Sequence, residues 1–185
     1  SRDAARKELS LEGYVLLFFG FVRPYKGLQT LLDALPRVRK HRPVTLLVVG
    51  EFWKGKDEYL SQIRRLGIQD CVRVIDRYIP NEELGTYFVS ADLVVQPYLA
   101  ATGSGICQLA YGFDKPVIAT TVGSLAEVVQ DRVNGRLVPP GDPEYLSQAI
   151  VESLEPQTLQ SLTHHAKFTK DRFSWEQLAK IITET

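Results

Sequence analysis

Short apolar segments, separated by amphipathic ones, constrain the fold of this chain more than any other feature. Four of them, each five to seven residues long, are rich in Val, Leu, Ile and Phe, and a fifth is weaker. They are Tyr14–Gly20, Val44–Gly50, Asp92–Tyr98, Pro116–Thr120 and, as the weaker one, Cys71–Ile75. Continuous apolar runs of this length are typical of parallel strands that are covered on both faces.

Helical periodicity fills the intervals between these strands. The predicted helices are Leu28–Arg42, Asp57–Leu66, Asn81–Ser90, Gly105–Gly112 and Ser124–Gln130. Pro36 predicts a kink or a division in the first helix, and Asn81 is the expected N-cap of the third. Alternation of strands and helices predicts an α/β fold, a Rossmann-like open parallel sheet with helices on both faces.

The pattern changes after Pro140, where a Pro- and Gly-rich turn precedes helical segments only. These are Pro143–Leu154, Thr158–Lys170 and Ser174–Thr183, which predict a helical C-terminal tail over about residues 143–185. Because no linker, repeat or low-complexity segment interrupts the chain, we expect residues 1–185 to form a single domain.

Charge and cysteine content exclude several functional classes. The 22 basic residues balance the 22 acidic ones, so non-specific binding to nucleic acid is not expected. The longest apolar stretch, Tyr14–Val22, is too short to cross a bilayer. Cys71 and Cys107 have the spacing of neither a disulfide scaffold nor a zinc site. A cytoplasmic protein without a metal site is therefore predicted.

Two segments at predicted strand ends have the composition of anion sites, and ligands of open parallel sheets bind at those ends. The first, from Gly20 to Gly27, contains Arg23 and Lys26, which could clamp phosphate oxygens. The second, from Thr102 to Gly105, precedes a predicted helix whose N–H groups could bind an anion. An ordinary turn with solvated cations and a flexible loop are the respective alternatives.

Glu51 and Tyr78 follow two further strands. Glu51 either faces a ligand or lies in a solvated loop, and Tyr78 either stacks on a flat base or is structural. Adjacent histidines at His164 and His165 point in different directions on a helix, so they do not predict a metal pair.

Several ordered segments together resemble the C-terminal, donor-binding half of GT-B fold glycosyltransferases, in the retaining group 1 superfamily of glycogen synthase and sucrose synthase. The matching segments are FFGFVRPYKGLQTLLDAL, LLVVGE, RVIDRYIPNEELGTYFVSADLVVQPY, GFDKPVIATTVGSLAEVV and DRVNGRLVPPGDPEYLSQAI. They span about Tyr14 to Ile150. The resemblance implies a nucleotide-diphosphate-sugar donor, of the UDP, GDP or ADP type, and no other cofactor.

The resemblance also implies roles for individual residues. Lys26 matches the lysine that binds the diphosphate, whereas Phe21 stands where the family usually has an arginine, so Arg23 is the expected substitute. The backbone near Tyr78 and Ile79 corresponds to the region that brackets the nucleobase. The other residues expected to contact the donor are Gly20, Glu51, Thr102, Gly103, Ser104, Gly105 and Gln108.

The chain departs from the family at its paired glutamates. Alignment back from KPVIAT puts Ala101 and Leu109 at the two positions, where the family often has Glu for the donor sugar and for the ribose. Gln108, beside the second position, is the candidate for a ribose contact, although its helical direction differs by about 100° from that of Leu109.

Two functions remain open at this stage. The first is the donor-binding half of a retaining enzyme that transfers a hexose-type sugar to a glycan, lipid or small-molecule acceptor. The second is a non-catalytic nucleotide- or partner-binding domain that has lost the glutamate pair. The chain contains no Met, which agrees with an acceptor-binding N-terminal domain lying outside it. That domain is then the expected partner, the isolated half is expected to be inactive, and peripheral membrane contact through the missing half stays open.

Overall fold

A computed structural model describes residues 1–169 and shows a six-stranded, wholly parallel sheet. The strands are β1 (Tyr14–Phe19), β2 (Val44–Val49), β3 (Val72–Ile75), β4 (Leu93–Gln96), β5 (Val117–Thr120) and β6 (Gly135–Val138). Their order across the sheet is β3-β2-β1-β4-β5-β6. The strand order therefore reverses at β1, which pairs with β2 on one side and with β4 on the other.

Eight α-helices accompany the sheet within the described residues. They are α1 (Arg2–Glu8), α2 (Leu28–Arg39), α3 (Lys56–Leu66), α4 (Asn81–Ser90), α5 (Gly105–Gly112), α6 (Leu125–Val128), α7 (Pro143–Ser153) and α8 (Pro156–Thr169). No helix in this part of the chain combines the length and the apolar character that a membrane span requires.

Both faces of the sheet are buried, as the apolar runs predict. Along β1, Leu16 and Phe18 pack into a cluster with α2, α3 and α7. The intervening Val15 and Leu17 pack on the opposite face with α4 and α5. Because successive side chains of a strand point to opposite faces, one apolar run supplies both cores. The predicted fold class is confirmed.

The sixth strand, β6, was not among the five predicted from the sequence. Its centre is Arg136, so the segment contains no continuous apolar run. Arg136 is nevertheless buried, because its guanidinium pairs with Asp131 and Glu152. A charged residue can be buried when it is ion-paired, so a strand that contains one is not recognised from apolar residues alone.

Several helix boundaries differ from the prediction, and α6 (Leu125–Val128) is shorter than the predicted Ser124–Gln130. Asn81 is the first residue of α4, and Pro80 takes the N-cap position without a side-chain hydrogen bond, so the predicted Asn81 cap is wrong. Helix α2 runs through Pro36 as one helix and ends at Arg39. The C-terminal helices α7 and α8 are present, with α7 packed against α2, whereas the predicted segment Ser174–Thr183 lies outside the described residues.

The first helix, α1, is fastened to the sheet by a buried carboxylate. Asp92, whose side chain is 5% exposed, pairs with Arg2 and Arg6 of α1. It also accepts a hydrogen bond of 2.7 Å from the backbone N–H of Val15 in β1. The carboxylate thus has three donors, which compensate for the loss of its hydration.

At the opposite end of the sheet, the loop after β1 packs directly on the residues that follow β4. Gly27 has φ +69°, and a Cβ atom there would lie 1.9 Å from the backbone oxygen of Pro97. The N–H of Leu99 donates to the backbone oxygen of Tyr25 at 2.7 Å. The two segments are therefore held at backbone contact distance.

We predict that Gly27→Ala destabilises the protein by about 3 kcal/mol or more, because it adds a backbone clash to the strain of a left-handed conformation. Gly67→Ala is the matched control, since Gly67 has φ +65° but open space around its Cβ position. It is expected to cost only about 1–2 kcal/mol. Urea denaturation measures both, and equal losses would contradict a role for the contact with Pro97.

Candidate functional site

Two neighbouring depressions open at the carboxyl ends of the strands. The larger, here called the loop cleft, has a volume of about 570 Å³ and lies between the β1 and β4 loops. Its lining residues are Tyr25, Lys26, Tyr98, Ala100, Ala101, Thr102, Gly103, Ser104, Gly105 and Ile106. The smaller, here called the side pocket, has a volume of about 220 Å³. Its lining residues are Phe19, Gly20, Phe21, Lys26, Gly50, Glu51, Arg77, Tyr78, Ile79 and Ile106.

Lys26 lies where the two depressions meet and lines both. Its side chain is partly buried, and among the described residues it has neither an ion pair nor a hydrogen-bond acceptor. Burial, and secondarily the charge of Arg23, lowers the pKa of the Lys26 ammonium from 10.5. A partly desolvated cation without a counter-charge favours an anionic ligand.

Gly20 leaves space for the Lys26 side chain because it has no side chain of its own. A Cβ atom at Gly20 would lie only 3.0 Å from the Lys26 Nζ, and the φ of +108° is one that L side chains rarely adopt. The absence of a side chain at Gly20 therefore opens the passage between the loop cleft and the side pocket.

The second wall of the loop cleft is the segment that leads into α5. Ser104 is the N-cap of α5, and its hydroxyl accepts the backbone N–H of Ile106 at 3.2 Å. Within residues 1–169, no backbone acceptor receives the N–H groups of Gly103, Ser104 or Gly105. Free N–H groups at a helix N-terminus carry partial positive charge, so this wall has the same electrostatic sign as Lys26.

Arg23 stands apart from these walls. Its guanidinium carbon lies 4.9 Å from the centre of the Trp53 ring, and its Nε is buried without a partner among the described residues. It lines neither the loop cleft nor the side pocket. The expected contact of Arg23 with a diphosphate stays a prediction.

The two positions of the missing glutamates differ in their surroundings. Ala101 lines the loop cleft, whereas Leu109 packs against the core formed on the α4–α5 face. Gln108 is exposed on α5 and lines neither depression, so its expected ribose contact also stays a prediction. The described lining of the loop cleft includes no carboxylate.

The sequence analysis predicts most of these residues as site residues, but it does not identify Tyr98. Gly20, Lys26 and the segment Thr102–Gly105 do meet at one place, with Glu51, Tyr78 and Ile79 beside them. Tyr98 was placed at the end of the predicted β4 strand, although the strand stops at Gln96. The rule that ligands bind just beyond strand ends would have found it.

The family of the chain follows from a match to a known sequence profile. The profile described as "Glycosyl transferases group 1" matches residues 13–156, which contain all of these site residues. The chain belongs to the group 1 glycosyltransferases. Among curated relatives of this group, the D-inositol 3-phosphate glycosyltransferase of Segniliparus rotundus is 33% identical, over 96% of this chain and 41% of the relative.

Solved structures of other glycosyltransferases share the fold. HepE from Anabaena, solved in complex with UDP-glucose, superimposes with a TM-score of 0.84 at 25% identity, over 100% of this chain and 52% of that chain. Sucrose-phosphate synthase from Thermosynechococcus elongatus gives a TM-score of 0.82 at 26% identity, over 98% of this chain and 47% of that chain. This group 1 glycosyltransferase chain thus spans about half the length of these relatives.

We predict that Lys26→Met raises the stability of the protein by about 0.5–1 kcal/mol, because it removes an unpaired, partly buried charge. Lys115→Met is the matched control. Burial lowers the pKa of Lys115 as well, but its ammonium donates to the backbone oxygens of Val89 and Ala91 at 3.1 and 2.9 Å. That substitution should destabilise by about 2 kcal/mol.

Thermal and urea denaturation distinguish the two lysines. A loss of stability in both variants would show that Lys26 also has a structural role, although its ammonium has neither an ion pair nor a hydrogen-bond acceptor in the described structure.

Proposed function

We propose that this chain is the donor-binding half of a retaining glycosyltransferase that transfers a hexose-type sugar from a nucleotide diphosphate to an acceptor. The observation that carries the proposal is that the loop cleft is lined both by Lys26, whose ammonium has no ion pair among the described residues, and by Gly103–Gly105, whose N–H groups have no backbone acceptor there. Both groups attract anions, and a diphosphate is an anion long enough to contact both.

The side pocket fits the nucleoside part of the donor in this proposal. It adjoins the loop cleft through Lys26 and Ile106. Tyr78 and Ile79 supply an aromatic and an apolar side chain there, and Glu51 supplies a carboxylate that can accept hydrogen bonds. The UDP-glucose in the HepE complex supports a nucleotide-sugar as the ligand, and the proposal includes UDP-, GDP- and ADP-sugars as donors.

The chemical contribution of these residues is electrostatic. When the bond between the sugar and the diphosphate breaks, negative charge develops on the departing β-phosphate. Lys26 and the N–H groups of the loop stabilise that charge from fixed positions, so little reorganisation is needed during the reaction. Arg23 would add a second cation if its side chain left Trp53.

Acceptor binding belongs to the remaining part of the proposed enzyme. The relatives are about twice as long as this chain, which supports an additional domain that holds the glycan, lipid or small-molecule acceptor.

A non-catalytic binding domain is the second candidate. It is favoured by Ala101 and Leu109, which provide no carboxylate where the family often has the glutamates that serve the donor sugar and the ribose. The second candidate binds a nucleotide or a partner, and only the first transfers a sugar.

We predict that Lys26→Ala weakens the binding of UDP by about 10- to 100-fold, the equivalent of one hydrogen bond to a charged group. Isothermal titration calorimetry with UDP, GDP and ADP measures the loss and identifies the preferred base. Since the ammonium must be protonated to bind, wild-type affinity should fall as the pH rises towards 10.5, through the lowered pKa of Lys26.

The pH dependence has its own control. It is measured with ADP, because uracil and guanine lose a ring proton of their own at alkaline pH, and in Lys26→Ala the decline of ADP affinity should be absent. An unchanged affinity in this variant would move the diphosphate site elsewhere.

We predict that the 185-residue chain binds nucleotide-sugar weakly and transfers no sugar by itself, because positioning of an acceptor supplies much of the rate. Joined to its acceptor-binding part, the same chain should transfer sugar, and Lys26→Ala should reduce that rate. The assay follows labelled sugar from UDP-glucose into products. Transfer by the isolated chain would overturn the half-enzyme proposal, and no transfer by the joined protein would favour the non-catalytic candidate.

A further inference from the structure

One buried aromatic residue contacts both walls of the loop cleft. Tyr98 is only 3% exposed and follows β4 by two residues. The Lys26 Nζ lies 5.5 Å from the centre of its ring, within the range of a cation–π interaction. Its hydroxyl approaches the Ser104 hydroxyl at 3.5 Å, the long limit of a hydrogen bond. The side chain therefore lies between the β1 loop and the N-cap of α5.

The position of the Tyr98 ring is fixed from several directions. The ring packs edge-on against Tyr25, with a distance of 6.3 Å between centroids and an angle of 85°. The backbone oxygen of Tyr98 accepts the Thr120 hydroxyl at 2.7 Å, and the next N–H, of Leu99, donates to Tyr25. Such a ring can orient a flexible lysine side chain, because its own movement is restricted.

The contact between Tyr98 and Lys26 is one of a cation with a neutral ring. Burial raises the pKa of the Tyr98 hydroxyl to about 12, so the phenol keeps its proton and does not neutralise the ammonium. Other ionisable groups near Lys26 are Arg23 in the same loop, and Glu51 and Arg77 across the side pocket. The charge of Lys26 stays available to a ligand while its direction is set by the ring.

We propose that Tyr98 is a positioning residue of the donor site: its ring holds the Lys26 ammonium on one wall of the loop cleft, and its hydroxyl fixes Ser104 on the other. This inference rests on the proposed function for the identity of the ligand. The geometry that carries it, Lys26 over the ring and Ser104 at the hydroxyl, is independent of any ligand.

Two substitutions test the contributions of the Tyr98 ring and of the Tyr98 hydroxyl separately. Tyr98→Leu removes both contacts and keeps an apolar side chain, whereas Tyr98→Phe removes the hydroxyl only. We expect Tyr98→Leu to weaken UDP binding by about 10-fold and Tyr98→Phe to weaken it by less than about threefold. In a double-mutant cycle, Tyr98→Leu should cost no more than Tyr98→Phe does once Lys26→Ala is present, since the ring acts on the ligand through Lys26.

A second measurement needs no ligand. In the free protein, NMR titration of the Lys26 side chain follows its deprotonation. We expect Tyr98→Leu to move this titration to lower pH, since the aromatic ring stabilises the charged form, and Tyr98→Phe to leave it in place. Loss of packing alone would expose the ammonium to water and move the titration the other way, to higher pH.

Tyr111→Phe controls for general destabilisation. Tyr111 is another fully buried tyrosine on the same face of the sheet, and its hydroxyl donates to the Asn134 side chain at 3.0 Å. This variant should lower the melting temperature but leave both UDP affinity and the Lys26 titration unchanged.

The outcomes distinguish the two proposals. If wild-type protein does not bind UDP, GDP or ADP, the proposed function fails, and the Lys26 titration still decides the role of the Tyr98 ring. If wild-type protein binds UDP and the folded Tyr98→Leu variant matches it in both affinity and titration, the positioning role is overturned alone.

Discussion

The reversal of strand order at β1 is the constraint on which the rest of the structure depends. The loop after β1 leads to α2 on one face of the sheet, and the loop after the adjacent β4 leads to α5 on the other face. Two neighbouring loops that diverge leave a crevice between them. Its depth is set by the backbone contact between Gly27 and Pro97, which brings the two loops together at their base.

Much of this arrangement was predictable because one physical rule governs it. Strands buried on both faces need uninterrupted apolar residues, so the sequence pattern predicts β1, β2, β4 and β5. Lys26 and the Thr102–Gly105 segment follow the ends of two of these strands, where a ligand is expected. The rule fails where a charge is paired inside the fold, as for Arg136 in β6. It also does not specify side-chain direction. Contact with the Trp53 ring, formed only in the folded chain, decides where Arg23 points.

Lys26 and Lys115 are two partly buried lysines whose charges are compensated to different extents. Burial lowers the pKa of both. The backbone oxygens of Val89 and Ala91 compensate Lys115, whereas the described surroundings give Lys26 only the face of the Tyr98 ring. A partly buried charge without a full set of partners is expected at a ligand site, because the ligand supplies the missing partner when it binds. The comparison therefore supports Lys26, and not Lys115, as a candidate ligand residue.

The two outer strands of the sheet have a consequence for self-association. Unpaired N–H and C=O groups on an edge strand can recruit a second chain into a continuous intermolecular sheet and so start aggregation. Strands β3 and β6 are only four residues long. An exposed Arg73 lies within β3, and the ion-paired Arg136 lies within β6. A short edge strand with a charged residue near its centre offers few backbone groups for pairing with an incoming strand. These edges therefore protect an otherwise very apolar sheet from aggregation.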